Sequence, residues 1–187
     1  MLNISYFVIV NKLPEDLPSQ KRRELDYITQ LLSSHKSVEI LILFGSYAKG
    51  TFVEDRYVEK GITYEYQSDY DLLVVTPHDD LKQNIKIETD LKQKLVERDL
   101  VKTPVSLIFH SIKHLNQSLS EGNYFFQDIK KEGIILHDTG RFQLQNARKL
   151  TRTEARQKAR VMQYLEQQSV NASTVADTIK EIFKLTP

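Results

Sequence analysis

The chain has 187 residues, 40% hydrophobic and 27% charged, a balance that is ordinary for a globular protein with one sizeable core. It has 26 Lys and Arg residues and 25 Asp and Glu residues, so net charge alone predicts no attraction to nucleic acid or anionic membranes. The lack of cysteine excludes disulfides and thiolate zinc sites and fits a cytoplasmic protein. No apolar run approaches the roughly 20 residues of a membrane-spanning helix, so no membrane association is expected.

The first elements are a strand, a helix and a second strand. Residues 1–10 contain Tyr-Phe-Val-Ile-Val without a preceding basic segment, which predicts a strand rather than a signal peptide. Leu25, Ile28 and Leu32 recur at helical spacing among charged residues, which indicates an amphipathic helix. Residues 38–44 form a nearly continuous apolar run that ends in Gly-Ser, a pattern typical of a buried strand leading into a tight turn.

The middle of the chain continues this alternation. Residues 51–67 contain two β-prone segments around a charged stretch, so a protruding hairpin or long loop is expected. The same patterns then predict a buried strand at 70–75, a helix at 79–98, a strand at 104–109, a helix at 112–129 broken near Gly122, and a short strand at 133–137. We therefore expect an α/β or α+β domain with a mixed β-sheet flanked by helices.

The character of the chain changes after residue 140. Residues 150–168 and 172–185 lack Gly and Pro and predict two helices, so we expect a main domain over 1–140 and a helical extension over 141–187. Basic residues dominate the start of this extension, and their positive charge is compatible with binding to RNA phosphates or to an acidic partner. They are Arg141, Arg148, Lys149, Arg152, Arg156, Lys158 and Arg160. A solvated helix face is the simpler interpretation, because aromatic residues are not regularly interleaved with them.

Gly45 and Ser46 follow the buried strand at its carboxyl end. A glycine there lets the backbone turn sharply and approach a ligand, while the next amides and the Ser46 hydroxyl can donate to phosphate oxygens. A helix starting at Tyr47 would add its positive end. Taken alone, the dipeptide is more typical of a simple strand-to-helix turn.

Asp69 and Asp71 stand two residues apart at the start of the next apolar strand. Alternate residues of a strand project to the same face, so two carboxylates are expected side by side. A hard divalent cation with oxygen ligands, Mg²⁺ being the best match, is the natural compensation for their repulsion. A pair of solvated aspartates in a turn is the alternative.

The two motifs together are far more specific than either alone. An apolar strand, Phe-Gly-Ser-Tyr-Ala-Lys-Gly at 44–50, then Ser-Asp-Tyr-Asp at 68–71 followed by Leu-Leu-Val-Val, closely resembles the signature of minimal nucleotidyltransferases in the DNA polymerase β superfamily. The resemblance is strong over residues 39–75 and looser over the rest of the first 140. It implies a polymerase β-like nucleotidyltransferase fold.

The resemblance also implies roles for the motif residues. Gly45, Ser46 and Lys49 are expected to hold a nucleoside triphosphate, either ATP or another NTP. Asp69 and Asp71 are expected to be catalytic and to bind Mg²⁺, as one ion or as a two-metal site. A nucleoside monophosphate, with AMP as the first candidate, would then pass to a hydroxyl acceptor while pyrophosphate leaves.

Two features depart from the compact members of the family. Residues 47–68 separate the two motifs, so we interpret 51–67 as an insertion that either contacts the acceptor or a partner, or is an ornamental loop. Many members supply a third carboxylate from the following strand, where this chain has Ser106, which cannot act as a general base. Either two aspartates suffice, another acid such as Glu65 replaces the third, or the protein is slow or silent.

The acceptor is the least determined part of the interpretation. The C-terminal helices resemble, by context and not by motif, the start of HEPN domains, which accompany minimal nucleotidyltransferases in toxin–antitoxin systems. A HEPN-domain protein is therefore one implied partner. The ribonuclease pattern of HEPN domains needs an arginine followed closely by a histidine. No histidine follows His137, so no RNase activity is expected. A catalytically silent binding module is one alternative, and an antibiotic nucleotidyltransferase that uses hairpin acids is another: Glu54, Asp55, Glu59 and Glu65.

His110 and His114 are spaced i, i+4, which on a helix would place both imidazoles on one face, as in some metal sites. They straddle the predicted strand-to-helix junction, and no third ligand is apparent in the sequence. We therefore do not predict a metal role for this pair.

Overall fold

The strands form a four-stranded sheet and a separate two-stranded hairpin in the computed structural model, which describes residues 12–60, 62–98, 100–146, 148, 151–154 and 156. The elements within this part of the chain are α1 (Ser19–Ser33), β1 (Ile40–Phe44), α2 (Gly45–Lys49), β2 (Glu54–Glu59), β3 (Ile62–Gln67), β4 (Tyr70–Thr76), α3 (Leu81–Arg98), β5 (Val105–Ser111), α4 (Ile112–Ser120), α5 (Tyr124–Glu132) and β6 (Ile134–Asp138). The larger sheet has the order β5-β4-β1-β6. Strands β4 and β5 are parallel, whereas β1 is antiparallel to both of its neighbours. The predicted mixed sheet flanked by helices is confirmed.

The predicted elements between residues 19 and 138 have counterparts here, with small shifts at their ends. Residues 51–67, which were expected to form a hairpin, contain the antiparallel strands β2 and β3. The expected break near Gly122 separates α4 from α5, and Gly122 has a φ of 83°. The strand predicted at 1–10 lies outside the described residues, as do most of the two predicted C-terminal helices. None of the helices in the described part of the chain is both long and apolar enough to cross a membrane.

The chain divides into two compact units, Met1–Arg148 and Lys149–Pro187. In the second unit, the Thr151 amide donates to Glu154 Oε2 at 2.7 Å and the Glu154 amide donates to Thr151 Oγ1 at 3.3 Å. This reciprocal pair is a capping box, which satisfies two backbone donors at a helix start. The predicted domain organisation, 1–140 and 141–187, stays a prediction.

Strands β1 and β4 form the centre of the sheet and are buried on both faces, which explains why their sequences are continuous apolar runs. Four of their side chains pack with α1 and α3: Leu41, Leu43, Leu72 and Val74. The alternate set packs with α4 and α5: Ile40, Ile42, Leu73 and Val75. Full burial of each such side chain contributes about 1.5–3 kcal/mol, so this pair of strands is the rigid base for residues at its ends.

Glu39 precedes β1 and is 1% exposed. Arg141 binds both of its carboxylate oxygens, with Nε 3.0 Å from Oε2, and Thr139 Oγ1 donates to Oε2 at 2.7 Å. The Thr139 amide also donates to the Glu39 carbonyl at 2.9 Å. These contacts hold the segment after β6 against the start of β1.

We expect Arg141→Met to lower the free energy of unfolding by about 1–3 kcal/mol, because it leaves the buried Glu39 carboxylate without its cation. The Arg141 side chain is 59% exposed, which places the effect below that of a fully buried pair. Urea denaturation of the wild type and the variant measures it. Adding Glu39→Gln should recover part of the loss, and an unchanged unfolding midpoint in Arg141→Met would show that the ion pair contributes nothing.

Candidate functional site

The pairing of β1 with β4 brings the two sequence motifs together at one end of these strands. Phe44, the last residue of β1, lies opposite Asp71 in the ladder, and Gly45 follows directly. A Cβ added to Gly45 would stand 2.2 Å from Asp71 Oδ2. Gly45 and the second aspartate are therefore direct neighbours in space, although the hairpin insertion separates them in the sequence.

Gly45 is required here for two independent reasons. Its φ is 72°, in the left-handed region that residues with a Cβ rarely adopt. The Asp71 carboxylate occupies the place that a side chain would need. The helix predicted to start at Tyr47 instead starts at Gly45 and is short, because the left-handed Gly50, with φ 70°, ends it after Lys49.

The two aspartates lie at the start of β4 and are both half-buried. Burial raises the pKa of Asp71 to about 6, and the negative charge of Asp69 adds to this effect. Ser106 Oγ donates a 2.5 Å hydrogen bond to Asp69 Oδ2. Ser106 is also the residue opposite Asp71 in the parallel ladder between β4 and β5.

This donor set fits a hard cation. Two carboxylates and a hydroxyl supply only oxygen, and a divalent ion would offset the repulsion that contributes to the raised pKa of Asp71. Within the described residues no group of three or more His, Cys, Asp or Glu side chains forms a metal site. Mg²⁺ is commonly held by one or two carboxylates together with substrate phosphates, and two neighbouring aspartates match that kind of donor set.

Lys49, the third residue predicted to bind nucleotide, lies at the end of α2. Its ammonium is 2.9 Å from Glu132 Oε2 at the end of α5, and both side chains are substantially exposed. The hydrogen bond and charge of Lys49 lower the pKa of Glu132. In this structure the Lys49 ammonium is therefore engaged with a carboxylate.

The remaining sequence candidates are placed as follows. The side chain of Glu65, considered as a replacement acid, lies outside the described set. The Nδ1 atoms of His110 and His114 are 3.2 Å apart, and burial, followed by His114, lowers the pKa of His110. No third metal ligand joins these imidazoles among the described residues, so the geometry adds no support for a metal pair.

Sequence reasoning missed a polar cluster on the other side of the motifs, which we call the support network. Its members are Lys21, Glu24, Tyr47, Glu54, Tyr70 and Thr103. A signal for it was present, because Lys21 and Glu24 share helical spacing with the apolar residues of α1 and are 5% and 2% exposed. Burial of charged groups on an apolar helix face requires partners from other elements.

The support network shifts the pKa values of two tyrosines and one glutamate. Burial raises the pKa of Tyr47 to about 12 and raises that of Tyr70 further, so both hydroxyls remain donors. Burial also acts to raise the pKa of Glu24, but hydrogen bonds from Thr103 and Tyr70 and the charge of Lys21 outweigh it and lower the pKa. The network therefore combines protonated tyrosines with an ionised glutamate.

Gly45→Ala should destabilise the protein by more than about 2 kcal/mol, because it combines backbone strain with an overlap against Asp71. Gly140→Ala is the matched control, since Gly140 has a φ of 70° and no atom within 4 Å of an added Cβ. That variant should lose only about 1 kcal/mol. Equal unfolding midpoints for the two variants would contradict the close approach of Gly45 to Asp71.

Asp71→Asn should stabilise the metal-free protein by about 1–2 kcal/mol at pH 7–8, after allowance for solvent screening. A carboxyl whose folded pKa is raised stabilises the native state most below its unfolded value and less as the pH rises through its folded value. The advantage of the variant should therefore be absent near pH 4 and complete above about pH 6. Thermal unfolding across this range tests it, with Asp26→Asn, which removes the same charge at an exposed position, as the control.

Comparison with known proteins adds a family to this geometry. A candidate nucleotidyltransferase of Sulfolobus solfataricus aligns with a TM-score of 0.34 and 16% identity over 67% of this chain and 91% of its own. A toxin-antitoxin with AMP-PNP aligns at 0.34 and 17%, and a mutant toxin-antitoxin MntA-HpeT at 0.35 and 17%, each over 83% of this chain and 98% of its own. No similar curated protein was found. Residues 26–142, more than half of the chain, match the family Polymerase beta, Nucleotidyltransferase, and the chain therefore belongs to that nucleotidyltransferase family.

Proposed function

We propose that this chain is a metal-dependent nucleotidyltransferase that transfers a nucleoside monophosphate, with AMP as the first candidate, from a triphosphate to a hydroxyl acceptor. The observation that carries the proposal is the contact between Gly45 and Asp71, which sets a side-chain-free turn directly against a half-buried carboxylate. Membership of the family supports the class of reaction. The roles of individual residues are part of the proposal.

Gly45 and Ser46 are proposed to bind the triphosphate. The missing Cβ at Gly45 lets the turn lie directly against the Asp71 carboxylate, and the Ser46 hydroxyl and nearby amides can donate to phosphate oxygens. Lys49 joins them once it exchanges Glu132 for a phosphate, an exchange between two exposed groups that costs little. Glycine, serine and lysine then offer donors and one positive charge to a highly anionic substrate.

Asp69 and Asp71 are proposed to hold Mg²⁺, which, when bound, neutralises charge on the triphosphate and on the leaving pyrophosphate. Ser106 contributes by orienting Asp69 through its 2.5 Å hydrogen bond. A serine hydroxyl has no suitable pKa to accept the proton of the acceptor hydroxyl. We therefore expect turnover to be slow compared with relatives that have a third carboxylate.

The insertion and the family resemblance both bear on the acceptor. The insertion begins and ends between the two motifs, so a molecule that binds the hairpin lies close to the transferred group. The resemblance to minimal nucleotidyltransferases suggests a hydroxyl on a HEPN-domain partner of a toxin–antitoxin system. RNA binding by the basic C-terminal helix stays a prediction, because most of that helix lies outside the described residues.

A silent binding module is the second candidate. Ser106 favours it, because this serine occupies the ladder position opposite Asp71 where a third acid would be expected. In that case the fold and the nucleotide site persist without transfer. Binding and turnover must therefore be measured separately.

The test is calorimetric titration with the four NTPs and Mg²⁺, followed by a pyrophosphate-release assay with candidate hydroxyl acceptors. Wild type should bind at least one triphosphate, and Asp69→Asn with Asp71→Asn should weaken this binding at least tenfold. Affinity should also fall as the pH drops through about 6, because protons compete for Asp71.

The control for these titrations is Asp16→Asn with Asp26→Asn, which makes the same change in charge at exposed positions and should bind like wild type. Binding without pyrophosphate release would support the silent module. No binding of any triphosphate by wild type would overturn the nucleotidyltransferase proposal.

A further inference from the structure

Two buried tyrosines connect the motifs behind the candidate site. Tyr47 follows Ser46, Tyr70 stands between the two aspartates, and both tyrosines are 0% exposed. Their ring centroids are 4.5 Å apart. Tyr47 also stacks on Phe52, with centroids 4.5 Å apart and ring planes within 6°, just before the hairpin begins. A shift of one motif against the other must therefore disturb a packed aromatic contact.

The two tyrosine hydroxyls end in one charged cluster. Tyr70 donates to Glu24 Oε2 at 3.0 Å, and Tyr47 donates to Glu54 Oε1 at 3.2 Å. Lys21 lies between these carboxylates, forming an ion pair with Glu54 and standing 3.9 Å from Glu24 Oε2. The Lys21 ammonium thus connects Glu24, which accepts from Tyr70, with Glu54, which accepts from Tyr47.

Thr103 completes the link on the β5 side of the sheet. Lys21 Nζ donates to Thr103 Oγ1 at 2.6 Å, and Thr103 Oγ1 donates to Glu24 Oε2 at 2.8 Å. The side chains of Lys21 and Glu24 are 7% and 1% exposed, whereas that of Glu54 is 38% exposed. Glu54 is the first residue of β2, so the hairpin insertion contributes the least buried member of the network.

We propose that Lys21 and Glu54 are positioning residues for nucleotidyl transfer: they tie the base of the hairpin to Tyr47 and Tyr70, and so hold Ser46 at a set distance from the aspartates. This inference rests on the proposed function. Neither residue touches substrate, and both act through the tyrosines. Misplacement by about 1 Å is enough to reduce a phosphoryl transfer strongly, which is why such a support matters.

Four variants distinguish a positioning role from a general loss of stability. Lys21→Met and Glu54→Gln each weaken the network beside the site. Arg141→Met breaks the buried ion pair with Glu39, at the opposite end of β1, where Glu39 precedes the strand. Tyr70→Phe is a fourth variant, because it keeps the packed ring and removes only the donor to Glu24.

Amide hydrogen exchange of the full chain is measured for peptides covering residues 45–50 and 68–72, at temperatures where the variants have equal global stability. Lys21→Met and Glu54→Gln should speed exchange in both peptides at least fivefold and weaken Mg-ATP binding at least fivefold. Tyr70→Phe should act in the same direction. Arg141→Met should leave both peptides and Mg-ATP binding as in wild type.

Uniform acceleration across the sheet, indistinguishable from that in Arg141→Met, would overturn the positioning role. If Lys21→Met does not fold, Glu54→Gln and Tyr70→Phe decide the result. Both should fold, because Glu54 is half-exposed and Phe keeps the packed ring of Tyr70. Failure of wild type to bind Mg-ATP would instead overturn the proposed function. The exchange rates would then still show whether the support network holds the two motifs together.

Discussion

The antiparallel register between β1 and β4 is the constraint on which the rest of the site depends. It sets Phe44 opposite Asp71 and therefore Gly45 against the Asp71 carboxylate. Because side chains alternate along a strand, a slip of one residue would turn Asp71 into the core beside α1 and bring Tyr70 to the site. Burial of the Asp71 carboxylate in that apolar core would make such a slip costly.

The site has an electrostatic cost that the fold carries without a ligand. Asp71 is half-buried next to Asp69, at the start of one of the most apolar strands of the chain, and burial together with the charge of Asp69 raises its pKa. The Ser106 hydroxyl forms its hydrogen bond with Asp69 Oδ2. A polar site that strains an otherwise apolar edge is a common mark of function, because stability by itself would favour uncharged residues there.

The insertion between the motifs leaves the sheet intact because β1 and β4 pair through their own ladder. Lengthening a loop costs only about 0.6 kcal/mol for each doubling, so a hairpin is tolerated where the ladder already holds both ends. An isolated two-stranded hairpin is marginal by itself. Glu54 supplies part of the missing support by joining Lys21 and Tyr47 at the base of β2.

Apolar spacing, β-prone segments and a helix-breaking glycine together predicted the mixed sheet, the hairpin and the break near Gly122. Spacing of 2 or 3.6 residues indicates which face of an element is buried. Local chemistry likewise predicted that Asp69 and Asp71 share an edge. Periodicity says nothing about partners across the fold: Ser106 lies 37 residues from Asp69, and Thr103 lies 82 from Lys21. The partners of Lys49, Asp69 and Lys21 were therefore settled only when β-sheet pairing and helix packing brought distant side chains within hydrogen-bond distance.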